Sequence, residues 1–215
     1  MCNKTNRAER LLQEYCSQAG IGWTRICEQV GVRTPDYELL VGGRTIIAEV
    51  KEVRRSREER KSDALTQPRG YTTRGGKTGA RVRNMIRKAS PQIKAGIRGR
   101  QPGMLVLYDG RKSGHIDPFN IKAAMYGDET WDIAVPQDPT IGPYVTGARF
   151  GPNQRMTPNQ QTSISAIGVL SQAGEELCVY HNEWADVPID PRLLTRSGIR
   201  QYRIDRATME WVPTG

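Results

Sequence analysis

Asp36 and Glu49 flank a stretch that begins Thr34-Pro35-Asp36 and ends Glu49-Val50-Lys51, with Gly42-Gly43 at its centre between two apolar runs. Paired glycines in that position predict a two-residue hairpin turn. If Val41 pairs with Arg44, counting outward sets Asp36 opposite Glu49 on one face of the ribbon, where facing Cβ atoms lie about 4.5–5.5 Å apart. Lys51 joins that face, because strand side chains repeat every second residue. Like charges placed opposite each other destabilise a sheet, so the pair calls for a compensating charge. A divalent cation held by both carboxylates, with a lysine beside it, would provide one. A hard cation with oxygen ligands, able to lower the pKa of a bound water, is what hydrolysis of a phosphodiester requires. The lysine could stay charged and stabilise the transition state or give up its proton, and residue type does not separate the two.

The charge of the chain is concentrated next to this stretch. Of the formal +9 in 215 residues, residues 52–100 supply fifteen Lys and Arg against four acidic residues, a net +11. The remainder, with seventeen basic and nineteen acidic residues, is at −2. A basic block that directly follows a candidate metal site predicts a phosphate backbone as the partner. The candidate contacts are Arg69, Arg74, Lys77, Arg81, Arg83, Arg87, Lys88 and Lys94, and Gln92 is a candidate for touching the site itself. Tyr71, amid Arg69 and Arg74, could stack on a base or be an exposed loop tyrosine. Gly76-Lys77-Thr78 invites a phosphate-loop reading, but Tyr71 stands where that motif needs glycine and no apolar strand precedes it. There is no run of about 18 apolar residues and no apolar region at the N-terminus, so the expectation is a cytoplasmic protein without a membrane partner. Cys2, Cys16, Cys27 and Cys178 show no Cys-x-x-Cys spacing, which predicts neither a structural zinc nor a disulfide framework; reduced thiols are expected.

The elements that must position these residues follow from periodicity. Residues 6–19 read as a helix with Ala8, Leu11, Leu12, Tyr15 and Ala19 on one face and Asn6 as its cap. Residues 23–27 read as a short strand. The hairpin of 36–51 has an apolar second face of Tyr37, Leu39, Val41, Ile46, Ala48 and Val50, so one side packs on a core while the other carries the polar pocket. Residues 52–65 are charged and helical or extended, 66–80 form a Gly-rich loop, and from Arg81 a helix runs on, interrupted at Ser90-Pro91. Residues 104–109 form the best buried strand. A short helix over 118–127, an irregular region over 132–160, strands over 163–170 and 177–181, and a last strand or tail over 202–212 complete the reading.

The order helix, hairpin bearing Pro35-Asp36 and Glu49-Val50-Lys51, helix, strand resembles the PD-(D/E)xK nuclease superfamily, and Asn6-Arg7-Ala8-Glu9-Arg10 looks like the Glu-bearing first helix of Holliday-junction resolvases. The resemblance covers about residues 5–110. It implies an α/β fold with a restriction-endonuclease-like core, a mixed central sheet flanked by helices. Residues 1–110 would be that core, and 111–215 a β-rich C-terminal extension completing the same domain. It also implies Mg²⁺ (or Mn²⁺) bound by Asp36, Glu49 and Glu9, with Lys51 positioning or deprotonating the attacking water, and a nuclease, an endonuclease by analogy, acting on DNA in preference to RNA; a homodimer is compatible with it. Asn6-x-x-Glu9 fits a capping box equally well. The rival from another class is a nucleic-acid-binding protein that keeps the fold without the chemistry.

Overall fold

The computed structural model describes residues 5–28, 31–54, 57, 60–61, 64, 77–97, 99–110 and 116–215. Helix α1 (Arg7–Gln18) is capped by Asn6, whose side chain accepts the Glu9 N–H at 3.0 Å, and it buries Ala8, Leu12, Tyr15 and Cys16 at the i, i+4 and i+7 spacing expected of one face. Strands β1 (Gly22–Arg25), β2 (Tyr37–Val41) and β3 (Arg44–Val53) follow as an antiparallel meander. Helix α2 (Ala80–Gly96) then crosses over so that β4 (Gly103–Asp109) returns parallel to β3. All seven residues of β4 are buried, which explains its unbroken apolar run at the centre of a sheet covered on both faces.

Beyond β4 come α3 (Pro118–Tyr126), β5 (Glu129–Ala134), β6 (Tyr144–Phe150), β7 (Ala166–Leu170), β8 (Leu177–His181), α4 (Pro191–Thr195), β9 (Arg200–Asp205) and β10 (Glu210–Pro213). The main sheet has eight strands in the order β1-β2-β3-β4-β7-β8-β9-β10, whereas β5 and β6 form a separate two-stranded ribbon. Residues 166–213 therefore continue the sheet begun by the hairpin. The protein is α/β, with a large mixed sheet flanked by helices. One core lies between α1 and the face bearing Tyr37, Ala48, Val50 and Val106; the other lies between α2 and α3 and the face bearing Leu105, Leu107 and Ile167.

Four expectations are corrected. Helix α2 runs through Ser90-Pro91 without a break. The missing N–H of Pro91 removes one bond to the Arg87 carbonyl, and burial of Ala89 and Ile93 on either side holds the helix together. Residues 132–160 are not wholly irregular, since β5 and β6 pair there with a bulge at Asp132/Ile133. The tail is a hairpin of two strands. Finally, Cys27 is disulfide-bonded, while Cys16 and Cys178 are free thiols. No helix among the described residues is long and apolar enough to cross a membrane.

Candidate functional site

The turn sets the site. Gly42 and Gly43 both have positive φ, +55° and +79°, the requirement of the tight hairpin turn whose twist matches its strands. From it the ladder runs Val41↔Arg44, Leu39↔Ile46 and Tyr37↔Ala48, the register derived from the sequence. Asp36 stands one residue beyond the ladder, opposite Glu49. Its N–H still donates to the Ala48 carbonyl at 3.1 Å, and its Oδ2 accepts the Val50 N–H at 2.7 Å, which fixes the carboxylate over β3.

Glu49 faces the α2 side together with Lys51, and the two are next to Leu105 and Leu107 of β4. It is fully buried. The Lys51 Nζ donates to its Oε1, whereas its Oε2 is buried with no N–H donor among the described residues; the carboxyl hydrogen-bonds with Asp36 when it is protonated. Burying a carboxylate oxygen unpaired is costly, so the group is pushed toward its neutral form. Burial, and secondarily the charge of Asp36, push the Glu49 carboxyl up to about 8, against the opposing pull of Lys51. Burial also raises Asp36, while the Val50 amide and Lys51 hold it down. Two adjoining carboxyls, Asp36 favouring the protonated form of Glu49 and that protonated form in turn favouring an ionised Asp36, form a donor set suited to a hard divalent cation.

Glu9 is placed differently. Its carboxylate accepts from the Asn6 side-chain amide at 2.5 Å and from Arg25 Nη2 at 3.0 Å, so both oxygens are engaged. Burial and the charge of Asp36 raise its pKa, and Arg25 and Asn6 oppose this. Glu9 thus influences Asp36 from the α1 side of the sheet, and among the described residues no group of three or more His, Cys, Asp or Glu comes together. The structure brings together Asp36, Glu49 and Lys51, with Glu9 as a charged neighbour that also completes the helix cap. Arg25 is a site neighbour that periodicity and motif spacing do not reveal. It pairs across the strands with Tyr37, and the Ile26 N–H donates to the Asp36 carbonyl at 2.9 Å, so β1 carries a cation to the edge of the site. The only signal for it is an arginine on a strand whose partner strand had to be known first.

Gln92 lies half-buried on α2 with its amide 3.5 Å from the Thr34 carbonyl, two residues before Asp36. Lys77, Arg87, Lys88 and Lys94 are exposed on or beside α2, and Arg81 is half-buried. Arg83 is removed from the set of surface contacts. It is 7% exposed, and its guanidinium donates to the carbonyls of Thr78 and Ala123 and lies 3.5 Å from Asp128, tying the start of α2 to the end of α3. Arg69, Tyr71 and Arg74 lie outside the described residues. No family model, curated protein or solved structure matches this chain.

Proposed function

We propose that the protein is a divalent-cation-dependent nuclease of the PD-(D/E)xK kind, with a restriction-endonuclease-like core, hydrolysing phosphodiester bonds in nucleic acid, DNA by preference. The observation that carries this reading is Glu49: fully buried, with an oxygen that no donor among the described residues satisfies, on the same hairpin as Asp36 and with the Lys51 ammonium on its other oxygen. A structural carboxylate would be expected to find a second donor. One that awaits a cation would not.

Asp36 and Glu49 would hold Mg²⁺ or Mn²⁺. When bound, such an ion supplies positive charge to the phosphate and acidifies a water. The Lys51 side chain, 24% exposed, reaches from the carboxylates toward solvent, where it can orient the attacking water and oppose the charge that develops on the phosphate. The exposed cations of α2 would hold the backbone through interactions that carry no sequence information. The preference for DNA rests on the resemblance alone.

The experiment is incubation with fluorescent single-stranded, duplex and branched DNA and with RNA, in Mg²⁺, Mn²⁺ or EDTA. Cleavage is expected only with the metal. Asp36→Ala, Glu49→Ala and Lys51→Ala should each abolish it in a folded protein. Wild-type rates in all three variants would refute the assignment.

A further inference from the structure

The last strands of the sheet border a cleft that the hairpin chemistry does not use. Its volume is about 810 Å³, within the range of small-molecule sites, and it lies between the β9–β10 hairpin and the segment 182–191 that leads into α4. Val179 and Ile189 belong to the core under α1, so the cleft opens on the α1 face of the sheet, whereas Glu49 and Lys51 face α2. Four strand spacings, about 19 Å, separate β3 from β9.

Hydrogen bonding fixes the state of one group in the lining. The Gln201 amide nitrogen lies 2.9 Å from the Pro191 carbonyl and 3.0 Å from Thr195 Oγ1; a carbonyl only accepts, so that atom is the NH2 and it is Gln201 Oε1 that meets His181 Nε2 at 2.9 Å. An amide oxygen also only accepts. His181 therefore carries a proton on Nε2, and because burial lowers its pKa the ring stays neutral, with a lone pair on Nδ1. Nδ1 has no partner among the described residues and is not sealed from solvent, so it opens into the cleft that the ring lines. Continuing the β8–β9 register by one residue sets Arg203 beside His181. Arg203 is exposed and has no ion-pair partner among the described residues. Asp205, next along the same face, accepts the Ala207 N–H on one oxygen at 2.9 Å and keeps the other. The remaining acid of the lining, Glu183, is held through both oxygens by Arg206. Pro188, Ile189 and Pro191 wall the cleft, and Val212 lies in its floor opposite Arg203.

We propose that this cleft binds a nucleoside monophosphate, with its phosphate on Arg203 and an amino-bearing base against the apolar wall, donating to His181 and Asp205. A planar guanidinium fork selects an oxyanion such as phosphate. Two acceptors beside it require a ligand that donates from its other end, and the apolar wall suits a flat ring between the two ends. Adenine, guanine and cytosine each carry an exocyclic amine that supplies two N–H donors, whereas thymine presents one ring N–H. A free amino acid offers the same two charged ends on a body too short to fill the cleft. Because the cleft lies on the other face and toward the other edge of the sheet, binding there does not require the hairpin chemistry.

Titration calorimetry of the full chain in EDTA at about 0.15 M salt, where no metal can hold a phosphate and loose surface attraction is screened, tests it. Deoxycytidine monophosphate should saturate one site per chain. Thymidine monophosphate should bind more weakly, and inorganic phosphate or deoxycytidine alone about tenfold more weakly or worse. Arg203→Met, at an exposed position that leaves the fold intact, should lose about tenfold in affinity for the nucleotide and little for the nucleoside. His181→Phe should erase the preference over thymidine monophosphate, and Lys88→Gln, on α2, should change nothing. Nitrogen-15 NMR should show His181 Nδ1 unprotonated, with a resonance that shifts on saturation. No saturable binding up to millimolar nucleotide, inorganic phosphate binding as tightly as the nucleotide, or wild-type affinity in Arg203→Met would overturn the proposal.

Discussion

The proposed metal site, with Glu49 buried in it, has proton release on cation binding as its sharpest consequence. With its carboxyl raised from 4.5 to about 8, the metal-free protein at neutral pH holds a proton there that a cation must displace. Below pH 4.5 folded and unfolded chains both carry the proton; between 4.5 and about 8 the unfolded chain loses it while the fold retains it. Metal-free stability should therefore fall as pH rises through that window and level off above it. For the cation the sign is reversed. Only about one molecule in ten is ionised at pH 7 and one in a hundred at pH 6, so apparent affinity should weaken roughly tenfold per pH unit below 8 and become constant above about pH 9. Titration calorimetry with Mn²⁺ alone, in buffers of different ionisation enthalpy, should report close to one proton released per ion at about pH 6.5 and none above about pH 9. Glu49→Gln should melt at least as high as wild type at neutral pH without metal, because unfolding of the wild type is favoured by the ionisation of Glu49 in water and an amide has no such ionisation, and it should release no proton. An affinity that is the same at pH 6 and pH 8, or undiminished proton release from Glu49→Gln, would show that Glu49 is not the ligand.

Other outcomes follow from the placement of the charges. Asp36→Asn should bind nucleic acid at least as tightly as wild type, since a negative charge near the phosphate is gone, yet cut nothing; gel-shift and cleavage assays on one preparation check both halves. Neutralising Lys77, Arg87, Lys88 and Lys94 together should weaken binding across sequences and flatten its salt dependence by about one log-log unit for each phosphate that the protein no longer neutralises, with cleavage spared at saturation. An unchanged slope would show that these cations do not meet phosphate. Arg83→Ala should instead lower stability by about 1–3 kcal/mol in a denaturant titration, because it leaves buried carbonyls without a donor, and should barely alter the salt slope.

The hairpin was legible because its information is local. Two glycines with positive φ admit one register, and that register places Asp36 and Glu49 together without knowledge of the rest of the chain. Helices α1 and α3 were legible for a similar reason, since cap and apolar period lie within one segment. The failures all depend on distant partners. Arg83 sits next to the apolar stripe of α2 and is basic, so in sequence it resembles Arg87; what distinguishes it is the Ala123 carbonyl, forty residues away. Pro91 reads as a break, and only burial of its neighbours against β4 and α3 overrides that preference. The ribbon of β5 and β6 was obscured because Pro, Gly and Gln crowd its loop and its apolar face leaves the body of the protein, so no core partner reinforces the alternation. The same distinction divides the site. Asp36, Glu49 and Lys51, the groups to which the proposed chemistry is assigned, belong to one hairpin and could be read from it, whereas Arg25 and Glu9 bear on Asp36 only because β1 pairs with β2 and α1 packs against that side of the sheet. Local sequence thus specifies which carboxyls meet on the hairpin, and the tertiary fold sets their ionisation.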